Sequence, residues 1–316
     1  MLSFRRFFKL ESIGYLEFGK RVYHKMIEEH CPAQAAAIAY YVLFAVFPFF
    51  LFLITIIGHL PIPHLLEYVL RRAARMLPEQ IYDLLQDNIR DLFSSKKHGL
   101  LPLGLLLALW GASNAVVCFM DTMNNLYSVK EERSFWRVRM TALFLVIGLS
   151  ILFLLSLVLL MFGRKIGHVL AIIANFSNVF IIIWDFMMVP MILFLLTMAV
   201  AAIYFYAPDV KQKLKWVTPG SVFAVPSWIC SSLGFSYYIN NFSSYDKTYG
   251  TLGAVIILLL WLYISGLVLL VGAVINSVLE QSSKEGKEPG EKVAGENQQK
   301  VWWSHLWKKE NSGQST

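Results

Sequence analysis

The sequence predicts an all-α polytopic membrane protein, six transmembrane helices with amphipathic surface helices, on three observations. The 316 residues are 57% hydrophobic and only 16% charged, with a mean hydropathy of +0.55, whereas a soluble domain carries roughly 25% charge. Six apolar runs recur, each long enough at ~1.5 Å per residue to cross a hydrocarbon core of ~30 Å. The last of them holds no charge from Leu252 to Ile275, a reach of ~36 Å.

The formal charge of +7 fits basic loops held against anionic lipid better than a nucleic-acid surface. Membrane lipids, anionic ones first, are therefore the expected partners, and nucleic acid is not. Cys31, Cys118 and Cys230 lie far apart without a CxxC or Cys/His spacing, so they read as packing residues.

Residues 1–30 mix Phe4, Phe7, Phe8, Leu16 and Val22 with Arg5, Arg6, Lys9, Lys20, Arg21 and Lys25. Charges interrupt every turn, which a signal peptide does not allow. The segment reads as an interfacial amphipathic helix. Residues 31–279 form the transmembrane domain, with spans at about 33–58, 100–120, 141–162, 178–206, 218–240 and 250–278. The first opens on Ala33, Ala35, Ala36, Ala37 and Ala39 and carries Pro48 in mid-span, a hinge because proline cannot donate its backbone hydrogen bond. Residues 64–97 alternate apolar and charged groups at helical spacing, an extramembrane amphipathic segment. His59 and His64 straddle Pro61 and Pro63, which is not a ligand spacing. No metal or cofactor is expected.

The second span holds Trp110, Gly111, Ala112, Ser113 and Asn114 in its middle. Lipid offers Asn114 no hydrogen bond, so it serves as helix glue or lines a pathway. The third span is almost featureless, and Gly163-Arg164-Lys165 reads as the connector that follows it. The fourth contains Asp185, the one acid well inside a span. A carboxylate at the bilayer centre costs ~2.5–3.5 kcal/mol on insertion scales, so Asp185 either has a polar partner or a wet cavity, or lies at the outer interface. The fifth span is the most polar, with Ser231, Ser232 and the hinge Pro226 among its residues. Interrupted helices of this type border substrate sites in transporters and also occur as packing kinks. At the entrance to the sixth, Tyr245 and Tyr249 bring hydroxyls and Gly250 a flexible joint; Asn276 puts an amide near its exit.

Six spans place both termini on one side. The N-tail, KEERSFWRVR, the Lys211 to Lys215 loop and the C-tail are rich in Lys and Arg, so that side is cytoplasmic. Residues 280–316 read as a disordered cytoplasmic tail with a surface anchor at Trp302, Trp303 and Trp307.

AAAIAYYVLFAVFP, LLALWGASNAV, PDVKQKLKWVTPGS and above all YDKTYGTLGAVIILLLWLYISGLVLLVGAVIN resemble the YihY/BrkB family of bacterial inner-membrane proteins, long labelled ribonuclease BN. The resemblance spans roughly Cys31 to Val278. It implies a six-spanning protein of the bacterial cytoplasmic membrane and no settled reaction. One departure is that the family commonly shows an acid after Gly-Ala in its last span, where Gly272-Ala273 is here followed by Val274.

Nothing in the sequence points to catalysis. A metal nuclease needs clustered His and Asp ligands, and a nucleophilic hydrolase needs an activated Ser or Cys beside a base; neither pattern is visible, so ribonuclease activity is not expected. Two non-enzymatic readings remain: a translocator of an envelope lipid or other amphiphile, and a non-transporting scaffold of envelope assembly. A homo-oligomer or an envelope-assembly partner stays open. In the first reading Asp185, Asn114, Tyr245, Tyr249, Asn276, Ser231 and Ser232 converge on one cavity.

Overall fold

The computed structural model describes residues 14–59, 100–174, 176, 178–241, 244–283 and 286–293. The expected amphipathic segment 64–97, the Trp302 to Trp307 anchor and the first 13 residues lie outside them. The described residues form seven helices and no strand: α1 (Tyr15–Glu28), α2 (Cys31–His59), α3 (Leu100–Leu126), α4 (Phe135–Ile173), α5 (Asn178–Tyr206), α6 (Leu214–Asn241) and α7 (Ser244–Gln281).

The protein is a polytopic membrane protein. Helices α3 to α7 each contain a stretch long and apolar enough to cross a bilayer, and α2 contributes a shorter described apolar stretch, Cys31–Val46. Proline sits inside α2 at Pro48, inside α5 at Pro190, and inside α6 at Pro219 and Pro226. Each helix continues through them, so these positions are not breaks in the chain's helical order. Helix α1 is carried by charge spacing as well as apolar content: Arg21 and Glu17 pair at 3.4 Å, one turn apart, where such pairs support a helix. His30, at φ 50°, turns the chain from α1 into α2.

The chain divides into two compact units, one of residues 1–35, 116–230 and 267–316, the other of residues 36–115 and 231–266. In the second unit α2 and α3 approach closely: a methyl group added to Gly111 would lie 3.0 Å from both Cα and Cβ of Ala45. Helices α6 and α7 are joined there by Trp261, whose indole N–H donates to Ser232 Oγ at 3.4 Å. The first unit holds the largest buried side chains, Trp216, Tyr127, Tyr204, Met120 and Met123, and all of α4 and α5.

Helices α4 and α5 form an antiparallel pair in a constant register. Phe144 meets Tyr206 edge-on at 6.5 Å, a methyl on Gly163 would strike Met188 Sδ, and one on Gly167 would strike the Trp184 ring. Past Leu145 the buried residues of α4 are all small, Ser156, Gly163, Gly167 and Ala171. Small residues four apart let helices approach where lipid supplies no hydrophobic drive.

Two expectations are corrected here. Gly163-Arg164-Lys165 is not a connector, because α4 runs on to Ile173; both glycines are kept helical by seating Met188 and Trp184. The tail does not lose its order at residue 280. Glu280, Ser282, Ser283, Lys287 and Glu291 are all buried, since residues 286–293 find ionic and backbone partners on the first unit that composition does not reveal.

Candidate functional site

The densest polar arrangement among the described residues lies at one end of the first unit. Helix α6 opens against α7 at Gly220, whose N–H donates to Asn276 Oδ1 at 2.6 Å, while Asn276 Nδ2 donates to the Val217 carbonyl at 3.0 Å. A methyl on Gly220 would stand 2.1 Å from the Gly272 carbonyl oxygen, and one on Gly272 would stand 2.4 Å from Tyr204 Oη. The Tyr204 hydroxyl donates to the Leu269 carbonyl at 2.6 Å, and its ring stacks on Phe119 at 6.1 Å. Ser277 Oγ donates to the Leu126 carbonyl at 2.8 Å. Helices α3, α5, α6 and α7 are thus tied by side-chain to backbone bonds. Each satisfies a polar group that would otherwise be stranded in an apolar medium.

Beyond these helix ends the connectors are bound to one another. Asn124 Nδ2 donates to Glu131 at 2.9 Å, and its Oδ1 accepts the Asp209 N–H at 2.7 Å. Arg133 donates to both oxygens of Glu131, at 2.6 and 2.8 Å, and to the Ala207 carbonyl at 2.8 Å. Burial pushes the Glu131 carboxyl up, but the hydrogen bonds from Arg133 and Asn124 and the guanidinium charge outweigh it and hold it below the usual carboxylate range. Lys292 reaches from the tail to Asp209 at 2.6 Å and to Glu132 at 2.8 Å. Its partial desolvation opposes these bonds to two carboxylates, which nonetheless raise its pKa above the ordinary lysine value.

The tail lies across the same connectors. Lys287 forms a buried ion pair with Glu280 and stands over the Tyr127 ring at 5.5 Å. The Gly290 N–H donates to the Tyr127 carbonyl at 2.9 Å, and the Lys211 N–H to the Lys292 carbonyl at 2.9 Å. Gly290 takes φ 85° there, a conformation glycine adopts without steric cost. Helix α1 joins this end through Lys25, which donates to the Gln281 side-chain carbonyl. Gln281 in turn donates to the Leu126 carbonyl at 3.3 Å.

The residues singled out from sequence fall in both units. Asn276 is fully engaged at the α6–α7 crossing, and Ser232 accepts from Trp261 in the second unit. Asn114 and Ser231 are half-buried, also in the second unit. Tyr245, Tyr249 and Gly250 belong to the opening turns of α7, but their surroundings lie outside the described residues.

Asp185 stands apart from Asn276 within the first unit. On the α4–α5 register it falls level with Lys165 and Ile166. From there to Tyr204, beside Gly272, is ~28 Å of helix. Asp185 is half-buried, and its Oδ1 is buried without a hydrogen-bond partner among the described residues. Its neighbour Trp184 uses its indole N–H on the Gly163 carbonyl at 2.8 Å. Phe176, Phe180 and Trp184 form a ladder of rings, with centroids 4.6 and 5.9 Å apart.

Sequence reading passed over two features. The small-residue ladder Gly163, Gly167, Ala171 was legible as a four-residue spacing. The Asn124, Glu131, Arg133, Asp209 and Lys292 network had no sequence signal, because its members come from the end of α3, two connectors and the tail. Among the described residues no group of three His, Cys, Asp or Glu is placed to hold a metal ion.

Similarity to known proteins agrees with the fold. The profile of the family described as "Virulence factor BrkB" matches residues 22–296. The chain is 32% identical over 269 residues to the "Putative ribonuclease-like protein YfkH" of Bacillus subtilis, covering 85% of this chain and 97% of that protein. It is 24% identical over 292 residues to a "UPF0761 membrane protein" of Alkalilimnicola ehrlichii, covering 87% of this chain and 62% of that one. It is 31% identical to "UPF0761 membrane protein PSHAa0171" of Pseudoalteromonas translucida over 83 residues, 26% of this chain and 28% of that one. No solved structure matches.

Proposed function

The chain belongs to the virulence factor BrkB family, and from that premise we propose that it is a multi-pass protein of the bacterial cytoplasmic membrane, both termini inside, that translocates an envelope lipid or other amphiphile. The observation that carries the reading is Asp185. A carboxylate in a membrane helix is costly unless something answers its charge, and here one oxygen is buried with no partner among the described residues. A buried acceptor left without a donor is one that a ligand can complete.

Asp185 lies ~31 Å of helix away from Tyr206, close to the full hydrocarbon thickness, which puts it at the rim of the outer leaflet when the basic connectors face the cytoplasm. Anionic lipid at the cytoplasmic face suits Phe135, Trp136 and Arg137 at the start of α4, all exposed and of the types that favour the interface.

A second reading, a scaffold of envelope assembly that moves nothing, is favoured by a different observation. Asn276, Ser277, Ser232 and Tyr204 all spend their hydrogen bonds on neighbouring helices, which is the behaviour of helix glue. Catalysis is not part of either reading. The purified protein incubated with RNA is expected to leave it intact; cleavage lost on one point substitution would reverse that. Reconstitution into vesicles with labelled lipids separates translocator from scaffold, because a scaffold leaves every lipid in its original leaflet.

A further inference from the structure

The contact line between α4 and α5 runs through Gly163 and Gly167 on one helix and Trp184 and Met188 on the other. One residue further along each helix is a rotation of ~100°. Because the helices run antiparallel, that step carries Arg164 and His168 of α4 and Asp185 of α5 to the same flank, at nearly the same level. Arg164, Lys165 and His168 are exposed, and no ion pair or hydrogen bond engages any of them among the described residues. Nor is Asp185 joined to Arg164, although its Oδ1 is buried without a hydrogen-bond partner among the described residues. Arg164 lies ~43 Å of helix beyond Phe135, the distance from one headgroup zone to the other.

We propose that this flank binds the zwitterionic headgroup of an amine-bearing phospholipid, the Asp185 carboxylate taking the ammonium and the Arg164 guanidinium the phosphodiester. The assignment rests on the lipid-handling reading above and names its substrate class.

The chemistry selects this headgroup over others. A primary ammonium supplies three N–H donors to a carboxylate that can only accept, and hydrogen bonds between ionised partners are about twice as strong as neutral ones. A choline headgroup has the charge and no N–H. An anionic headgroup without an amine would satisfy Arg164 and leave Asp185 unanswered. The zwitterion brings one charge of each sign to a flank with one of each, so no net charge enters the membrane edge, where unpaired charge is costly. Lys165 sits a further ~100° round α4 and does not share the flank.

The full-length protein in mild detergent is titrated with phosphatidylethanolamine, phosphatidylcholine and phosphatidylglycerol of matched acyl chains, with binding read by thermal shift and native mass spectrometry. Phosphatidylethanolamine is expected to bind about tenfold tighter than phosphatidylcholine, the worth of one charge-assisted hydrogen bond. Asp185→Asn abolishes that preference and leaves phosphatidylglycerol unchanged; Arg164→Gln weakens all three lipids, which share the phosphodiester. Equal binding of the ethanolamine and choline lipids by the unaltered protein overturns the proposal, and so does a preference that survives Asp185→Asn. Should that variant fail to fold, Arg164→Gln decides, since unchanged phosphatidylethanolamine affinity also overturns it. Soluble phosphoethanolamine reproducing the full shift would refute the lipid assignment. If vesicles show no translocation while the preference persists, the translocator reading falls and the site stands; translocation without the preference removes the site alone.

Discussion

The N–H of Gly220 lies 2.6 Å from Asn276 Oδ1, and a methyl group on Gly220 would stand 2.6 Å from the same oxygen. The two residues are therefore a matched pair: glycine makes the room, and the amide uses it to satisfy a backbone donor near the α6 N-terminus. The Asn276 side chain is also buried, so the bond has no water to fall back on.

Gly220→Ala is expected to destabilise the first unit by roughly 1–3 kcal/mol, the usual cost of forcing a methyl into a packed interior. Asn276→Leu should cost a similar amount, roughly 1–3 kcal/mol, by leaving the Gly220 N–H unsatisfied. Thermal unfolding in detergent reads both, and a Gly220→Ala protein as stable as the parent would show that α6 and α7 are not held at this crossing.

The tail strap yields a double-variant test. Lys287 and Glu280 are each 2% exposed at the side chain, so Lys287→Met alone should cost roughly 3–5 kcal/mol by stranding a buried carboxylate. Adding Glu280→Gln should restore most of it, because the charge that needed an answer is gone. Limited proteolysis at residues 286–293 measures this; equal cleavage of the single and double variants would mean that the pair does not hold the strap.

The docking of α1 is expected to depend on pH. Burial lowers the Lys25 pKa from 10.5 to about 8, with Glu29 and Glu28 opposing. Between those values the folded protein binds fewer protons than the unfolded chain, so its stability rises with pH across about 8 to 10.5. Below that window both forms are protonated and the cost of the buried charge is constant. Thermal stability of the native protein relative to Lys25→Met should therefore climb from pH 8 to pH 10.5 and stay level beneath it. Glu131 works in the opposite range: its pKa is held down in the fold, so its contribution is present above the unfolded value of 4.5 and fades as the pH falls through the folded one.

Topology is open to direct labelling. Cysteines placed at Arg133 and Gln212, in two connectors of the first unit, and at Ser312 should react only from the cytoplasmic side, and one at Ser94 only from outside. Reaction at Ser312 from outside would invert or change the number of crossings.

The helical class and the apolar stretches were legible because a bilayer imposes one strong requirement, uninterrupted apolar length with every backbone bond satisfied internally. Asn276 was legible for the same reason, as an amide that lipid cannot satisfy. The end of α4 was not, since Arg164 and Lys165 look like a loop until Met188 and Trp184 are known to rest on the glycines around them. The order of residues 286–293 was hidden too: a charged, glycine-bearing stretch reads as disordered unless Glu280, Tyr127 and Asp209 are known to be waiting for its lysines. Pairing across the sequence is three-dimensional information, and spacing along one helix does not carry it.

Translocation is read most directly by a dithionite-quenching assay on vesicles holding the purified protein and fluorescent phosphatidylethanolamine in both leaflets. The native protein is expected to expose the inner-leaflet dye, Asp185→Asn and Gly250→Pro to slow this at unchanged insertion, and Leu259→Ala, at an exposed position on α7, to leave it unchanged. Vesicles with native protein that quench no further than protein-free ones, whatever the lipid, would contradict translocation and leave the scaffold.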